Sequence, residues 1–199
     1  VTEETNAVTL SVNPIVTAAL SFTPRHLLVR ANAQHATTDD SVYLRINGDT
    51  GSNYNWVQHY GINASPNASI VTNNTSGVKL WKADDEASEF GGGEWLLPDA
   101  LSTRSHKSVV GIGGVDHDHG VWITAGRWAD TDAVTSVTFR VSGTSLIGAG
   151  SDFELCVVDE TFVVNEQIIT GSDGAFATVN EGGSNFPSDD GDLVVISNM

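Results

Sequence analysis

Cysteine, lysine and long apolar runs are what this 199-residue chain has least of. Cys156 is the single cysteine, so no disulfide within the chain can hold the fold. It falls in the strand-like run Phe153-Glu154-Leu155-Cys156-Val157-Val158, where a buried thiol is the expected state rather than a nucleophile. Lysine occurs only at Lys79, Lys82 and Lys107, and nine basic residues face 25 acidic ones for a net charge of −16. Such a balance argues against nucleic acid as a partner, because phosphate contacts need clustered Lys and Arg. No stretch reaches the roughly 20 apolar residues of a membrane helix, and no basic-then-apolar leader opens the sequence. The expectation is a soluble protein without a membrane partner or a cleaved leader. Nucleophile-elbow, HExxH and phosphate-cradling glycine patterns are also missing, so no enzyme is expected and no catalytic residue is assigned.

What the chain does have is alternation. Hydrophobic residues make up 40% of it, enough for a buried core in one domain of this length. Apolar positions recur with the period of strands, and no helical period competes. Strands are predicted at Val8 to Val12, Ala18 to Phe22, His26 to Ala33, Val42 to Asn47, Trp56 to Tyr60 and Val78 to Trp81. Further strands follow at Lys107 to Ile112, Val121 to Thr124, Val134 to Val141, Phe153 to Val158, Thr161 to Ile169 and Leu193 to Ser197. In Val137-Thr138-Phe139-Arg140-Val141 the apolar members share one face, as a half-solvated antiparallel strand requires. The fold class implied is all-β, an antiparallel, jelly-roll-like β-sandwich over residues 1–158, with a C-terminal extension over 159–199 that adds a strand and a Gly/Ser/Asp-rich arm. Asn63 to Gly77 and Ala83 to Glu94, rich in Asn, Ser, Thr, Gly and acids, read as long surface loops. Asn67 and Asn73 lie in the first of these within glycan-acceptor patterns.

The densest local information is the run from Leu44 to Tyr54. Val42, Leu44 and Ile46 alternate with Tyr43 and Arg45, and Asn47-Gly48 then supplies residues that tolerate positive φ at a sharp turn. Tyr54, Trp56, His59 and Tyr60 follow. These aromatics form a packed core or a subunit contact if buried, and a stacking platform for sugars if exposed. Two places could hold a divalent metal ion, the one cofactor under consideration. In Asp116-His117-Asp118-His119, His117 and His119 share a strand face as two imidazole ligands, which a symmetric trimer could complete into a ring. The oxygen groups of Asn47, Asp49, Ser52 and Asn53 suggest calcium, but their spacing is not that of an EF-hand loop.

The run Leu44-Arg45-Ile46-Asn47-Gly48-Asp49-Thr50-Gly51-Ser52-Asn53-Tyr54 resembles a motif of small all-β virion proteins of tailed viruses, which serve as tail, fibre or capsid-surface components. Phe22 to Arg30, Gly126 to Phe139 and Ser145 to Val158 are similar to further segments of that family in the same order. The resemblance covers residues 8 to 158, and the sequence after Asp159 departs from it. It implies a structural protein of the virion surface, assembled in the host cytoplasm. Such a protein would associate with itself, as a trimer, and with the major capsid protein or other virion proteins. A capsid decoration or turret component is the first expectation, and a tail fibre, baseplate or carbohydrate-binding receptor protein the alternative.

Aspartate supplies 16 of the 25 acids. An Asp-rich, Lys-poor composition suits a halophilic host, since concentrated salt screens the self-repulsion that opposes compaction. The unfolding midpoint is accordingly expected to rise between about 0.1 M and about 3 M salt. A midpoint indifferent to salt would remove the halophilic reading.

Overall fold

The computed structural model describes residues 1–3, 5–12, 25–34, 41–62, 65–82, 90–115, 120–143, 146–158, 180–181 and 184–185. Among these residues there are strands and no helix, and thus no helix able to cross a membrane. The chain divides into two compact units, Val1–Asp159 and Glu160–Met199. The first holds β1 (Ala7–Ser11), β2 (His26–Gln34), β3 (Ser41–Ile46), β4 (Tyr54–Ile62), β5 (Ser65–Asn74) and β6 (Val78–Lys82). It continues with β7 (Phe90–Leu97), β8 (Lys107–Val115), β9 (Val121–Trp128), β10 (Ser136–Val141) and β11 (Asp152–Val158). In the second unit the described residues form one small antiparallel pair, β12 (Asn180–Glu181) with β13 (Ser184–Asn185).

Two antiparallel sheets pack as a sandwich. One has the order β1-β10-β3-β6 and the other β11-β2-β7-β8-β9-β4-β5. The order is compatible with jelly-roll winding: the first strand lies beside β10, the third beyond it and the sixth at the far edge. In the facing sheet the three-strand meander β7-β8-β9 stands between β2 and β4, where a simple jelly roll has one strand.

Alternation fixes the inner faces. Val42, Leu44 and Ile46 of β3, with Val137, Phe139 and Val141 of β10, are buried from one side. Leu27, Val29, Ala31 and Ala33 of β2, Trp95 and Leu97 of β7, and Trp122 and Trp128 of β9 are buried from the other. Trp81 of β6 stacks on Trp95 across the interface at 5.3 Å between ring centroids, and Phe139 meets Phe153 at 4.8 Å. Aromatic pairs in such offset geometry add about 0.5–1.5 kcal/mol beyond their burial.

Polar atoms tie the layers as well. Between Val42 and Tyr43 the register with β6 slips, so Leu80 has no opposite number and both Leu80 and Trp81 are buried. The bulge leaves the Lys79 and Leu80 carbonyls to groups from the facing sheet. The buried Gln58 of β4 donates through Nε2 to Lys79 O at 3.1 Å, Leu80 O at 3.0 Å and Thr124 Oγ1 at 2.8 Å. Thr124 Oγ1 donates to Leu80 O at 3.2 Å.

Two expected loops are partly strands. Ser65–Asn74 pairs with β4 as the edge of the larger sheet, and because most of its residues face water it needs no hydrophobic alternation. Gly91-Gly92-Gly93 lies within β7, between β2 and β8. Its glycines are a packing requirement, since a Cβ on Gly91 would stand 2.8 Å from Trp81 Nε1 and one on Gly92 only 2.0 Å from Ala31 O. The predicted strands Ala18 to Phe22, Thr161 to Ile169 and Leu193 to Ser197 lie outside the described residues.

Gly92→Ala therefore places a methyl group against β2 backbone, which cannot rotate away. The variant is expected to lose about 2 kcal/mol or more in denaturant titration, while Gly61→Ala, whose Cβ meets nothing within 4 Å, serves as control.

Candidate functional site

The turn after β3 carries the chain from one sheet to the other, and its side chains are consumed in doing so. Asn47 and Gly48 have φ of 51° and 67°, and Asp49 N donates to Ile46 O at 2.9 Å to close the turn. Asn47 Oδ1 accepts from Thr135 N at 2.8 Å, Thr135 Oγ1 at 3.1 Å and Ser136 N at 3.1 Å, while its Nδ2 donates to Ala133 O at 2.9 Å. One amide thus fixes the approach to β10.

Asp49 is the centre of the next shell. Its Oδ1 accepts from Gly51 N at 2.7 Å; its Oδ2 accepts from Asn53 Nδ2 at 2.8 Å and Trp128 Nε1 at 2.6 Å. Partial burial works against the charged carboxylate, but the hydrogen bonds from Asn53, Trp128 and Gly51 and the nearby Arg45 guanidinium outweigh it and hold the group below the usual carboxylate range. Tyr54 completes the knot: its hydroxyl accepts from Ile46 N at 3.0 Å and donates to Ile46 O at 3.1 Å. Burial pushes this phenol up to about 12.

This geometry bears on two expectations. The side-chain oxygens of Asn47 and Asp49, two of the four groups considered for calcium with Ser52 and Asn53, accept hydrogen bonds from N–H and O–H donors within the turn. Of the readings open for the aromatics, Tyr54 and Trp56 take the core one, both being buried. Their neighbours differ. Tyr60 is half-buried and stacks on Trp122 at 6.3 Å, and His59 is exposed on the outer face of β4. Asn67 and Asn73 are exposed on β5. His117 and His119 lie outside the described residues, and among the described residues no group of three His, Cys, Asp or Glu could hold a metal ion.

The surface feature that sequence reasoning missed is the outer face of the seven-stranded sheet. Val110 and Ile112 of β8 and Val121 and Ile123 of β9 point outward and are 45%, 54%, 48% and 56% exposed. Ile112 lies opposite Ile123, and Leu28, Leu96, Val110, Ala125, Val57 and Ile70 form one cross-strand row spanning β2 to β5. The signal was available in Val109-Val110 and Val121-Trp122-Ile123, where apolar residues occupy both parities of a strand and so load both faces. Beside this row, Arg30 bridges Glu94 at 2.7 Å and Glu154 at 3.6 Å. An open groove of about 620 Å³, lined among others by Asn32, Phe90, Gly92, Gly114 and Val121, runs along the same face.

Comparison with protein-family models, curated proteins and solved structures finds no match.

Asparagine at position 49 would turn an amide N–H₂ toward donors or surrender one acceptor, so Asp49→Asn is expected to cost about 1–3 kcal/mol. Because the folded-state pKa of Asp49 is depressed, its contribution is complete above the ordinary value of about 3.9 and is lost as pH falls through the folded value. The difference in stability between the two proteins should therefore be widest above about pH 4 and close below it, as acid titration of the unfolding midpoint will register. Tyr54→Phe leaves the buried Ile46 N–H without its acceptor and should cost about 1–3 kcal/mol in the same assay.

Proposed function

We propose that this chain is a structural protein of a tailed virus, an oligomeric decoration or turret component of the particle surface that catalyses no reaction. The observation that carries the assembly role is the exposed apolar face of β8 and β9. Four large aliphatic side chains at about half exposure, in adjacent strands, form a patch of the kind that marks association surfaces. The viral assignment draws its support from the resemblance of the Leu44 to Tyr54 run and its companion segments. The inward use of Asn47, Asp49, Tyr54 and Trp56 suits a part whose most distinctive residues secure a rigid sandwich. In this reading the protein acts mechanically: its face docks on the major capsid protein or another virion protein, and association with its own copies multiplies weak contacts.

The groove beside Phe90 favours a second reading, a carbohydrate-binding receptor module on the tail, because a 40% exposed aromatic ring and the polar Asn32 line the same groove, the pairing of apolar face and polar group that a sugar needs. Copy number separates the two, with hundreds per particle for a capsid component and a handful for a tail component. The double variant Ile112→Lys/Ile123→Lys is expected to keep its melting temperature within a few degrees and to lose incorporation into particles at least about tenfold, scored by quantitative blotting of purified virions. Full incorporation of that variant would refute the docking role of the face.

A further inference from the structure

We infer that Asn47 is a self-modification site sealed by the fold. Released from its native turn, its side-chain amide is attacked by the backbone nitrogen of Gly48 and becomes aspartate or isoaspartate, and the altered chain cannot rebuild the junction between the sheets. This chemistry is independent of the proposed function and sets how long the chain keeps its ability to fold.

Asn47-Gly48 is the one Asn-Gly pair in the sequence. An asparagine Cγ is an electrophilic carbon that closes a five-membered ring with the next backbone nitrogen, and glycine leaves that nitrogen unshielded because it has no side chain. Once Gly48 N has lost its proton to solvent base, it forms a bond to Cγ of Asn47. The Cγ–Nδ2 bond breaks, and Nδ2 takes up a proton and departs as ammonia. Water then opens the succinimide at one carbonyl to give aspartate, or at the other to give isoaspartate, whose main chain runs through Cβ. Water is the co-reactant, and no oxidant or reductant takes part.

Two features of the native turn hold this reaction off. The first is the backbone. Asn47 has φ of 51° and Gly48 of 67°, and Asp49 N donates to Ile46 O at 2.9 Å, so Asn47 is left-handed at the first corner of a type I′ turn. In that conformation Cβ and the following nitrogen stand on nearly opposite sides of the Cα–C bond, whereas ring closure needs them eclipsed. The second is the amide. Oδ1 accepts from Thr135 N, Thr135 Oγ1 and Ser136 N, and Nδ2 donates to Ala133 O, so four hydrogen bonds hold the side chain toward the entry to β10. The three donors on Oδ1 polarise the carbonyl, but the backbone geometry denies the nitrogen access to it. Attack therefore requires the turn to rotate and the amide to withdraw together, which is an event of local unfolding.

The product does not fit the place that the amide leaves. Aspartate keeps acceptors for Thr135 and Ser136 but has no N–H for Ala133 O, and it sets a carboxylate oxygen against that carbonyl. Isoaspartate adds a methylene to the main chain within the turn that Asp49 N closes on Ile46 O. The junction thus protects the residue that builds it, and each opening exposes the chain to permanent loss of the native turn.

The test follows Asn47 in the full chain by peptide mass spectrometry, with isoaspartate identified by electron-transfer fragmentation. Samples are held in one mildly alkaline buffer, native or denatured by guanidinium chloride. The denatured chain is expected to accumulate the modification at Asn47 at least about tenfold faster than the native one. Thr135→Val, which removes the Oγ1 donor at an exposed position, should raise the native rate about two- to tenfold and leave the denatured rate unchanged. Chains modified while denatured and then returned to native buffer should melt below wild type or stay unfolded. A smaller difference between native and denatured rates, a denatured chain that keeps its amide, a native Thr135→Val rate equal to wild type, or modified chains that recover the wild-type midpoint would each overturn the inference. Should Thr135→Val fail to fold, the wild-type measurements decide alone.

Discussion

The carboxylate of Asp49 is the contact on which the sandwich turns. It sits where β3 of one sheet hands the chain to β4 of the other, and it holds Trp128 at the end of β9 by a 2.6 Å hydrogen bond. Through Asn53 and Gly51 it shapes the loop that delivers Tyr54, whose hydroxyl returns to both backbone groups of Ile46. Three strands are thereby placed by one side chain and its neighbours. Asn47 does the same for the start of β10. Charge-assisted hydrogen bonds of this kind are about twice as strong as neutral ones and are directional, so they set position where burial alone would only bring layers together.

A second constraint lies between the sheets. The bulge at Leu80 turns carbonyl groups into an apolar interior, where an unmatched polar group costs about 1–3 kcal/mol. Gln58 and Thr124 answer it from the opposite layer. Around them large indoles are matched by the absence of side chains: a Cβ on Gly113 would stand 2.9 Å from Trp95, and one on Gly126 only 2.4 Å from Val78. The shape of this core is drawn by glycines as much as by aromatics. Consequently the residues that give the chain its loop-like composition are, in β7 and β8, interior structural elements.

Much of this architecture was legible in the sequence, and the failures have physical causes. Val42, Leu44 and Ile46 and their counterparts in β10 announced half-buried strands because one of their faces meets water or the other strand parity is polar. The positive φ at Asn47 was legible because few residues other than Asn, Asp and Gly adopt it readily. β5 was illegible because an edge strand exposed over most of its length has no hydrophobic period to display, and Gly91-Gly92-Gly93 because composition does not reveal that tryptophans occupy the volume. The aromatic run after the turn divided: strand parity put Tyr54 and Trp56 inward and His59 outward, an assignment that needed the register. The outward side of Val110, Ile112, Val121 and Ile123 went unread, because consecutive apolar residues in a strand supply both sides of the sheet.

The stacked pair Trp81 and Trp95 belongs to different layers, with 5.3 Å between ring centroids and planes inclined by 16°. Two indoles so close share their electronic excitations, so the separation of the layers is written into the ultraviolet circular dichroism and emission of the native chain. The protein thereby carries its own optical ruler, one that falls silent when the sheets part even if each sheet keeps its ladder intact.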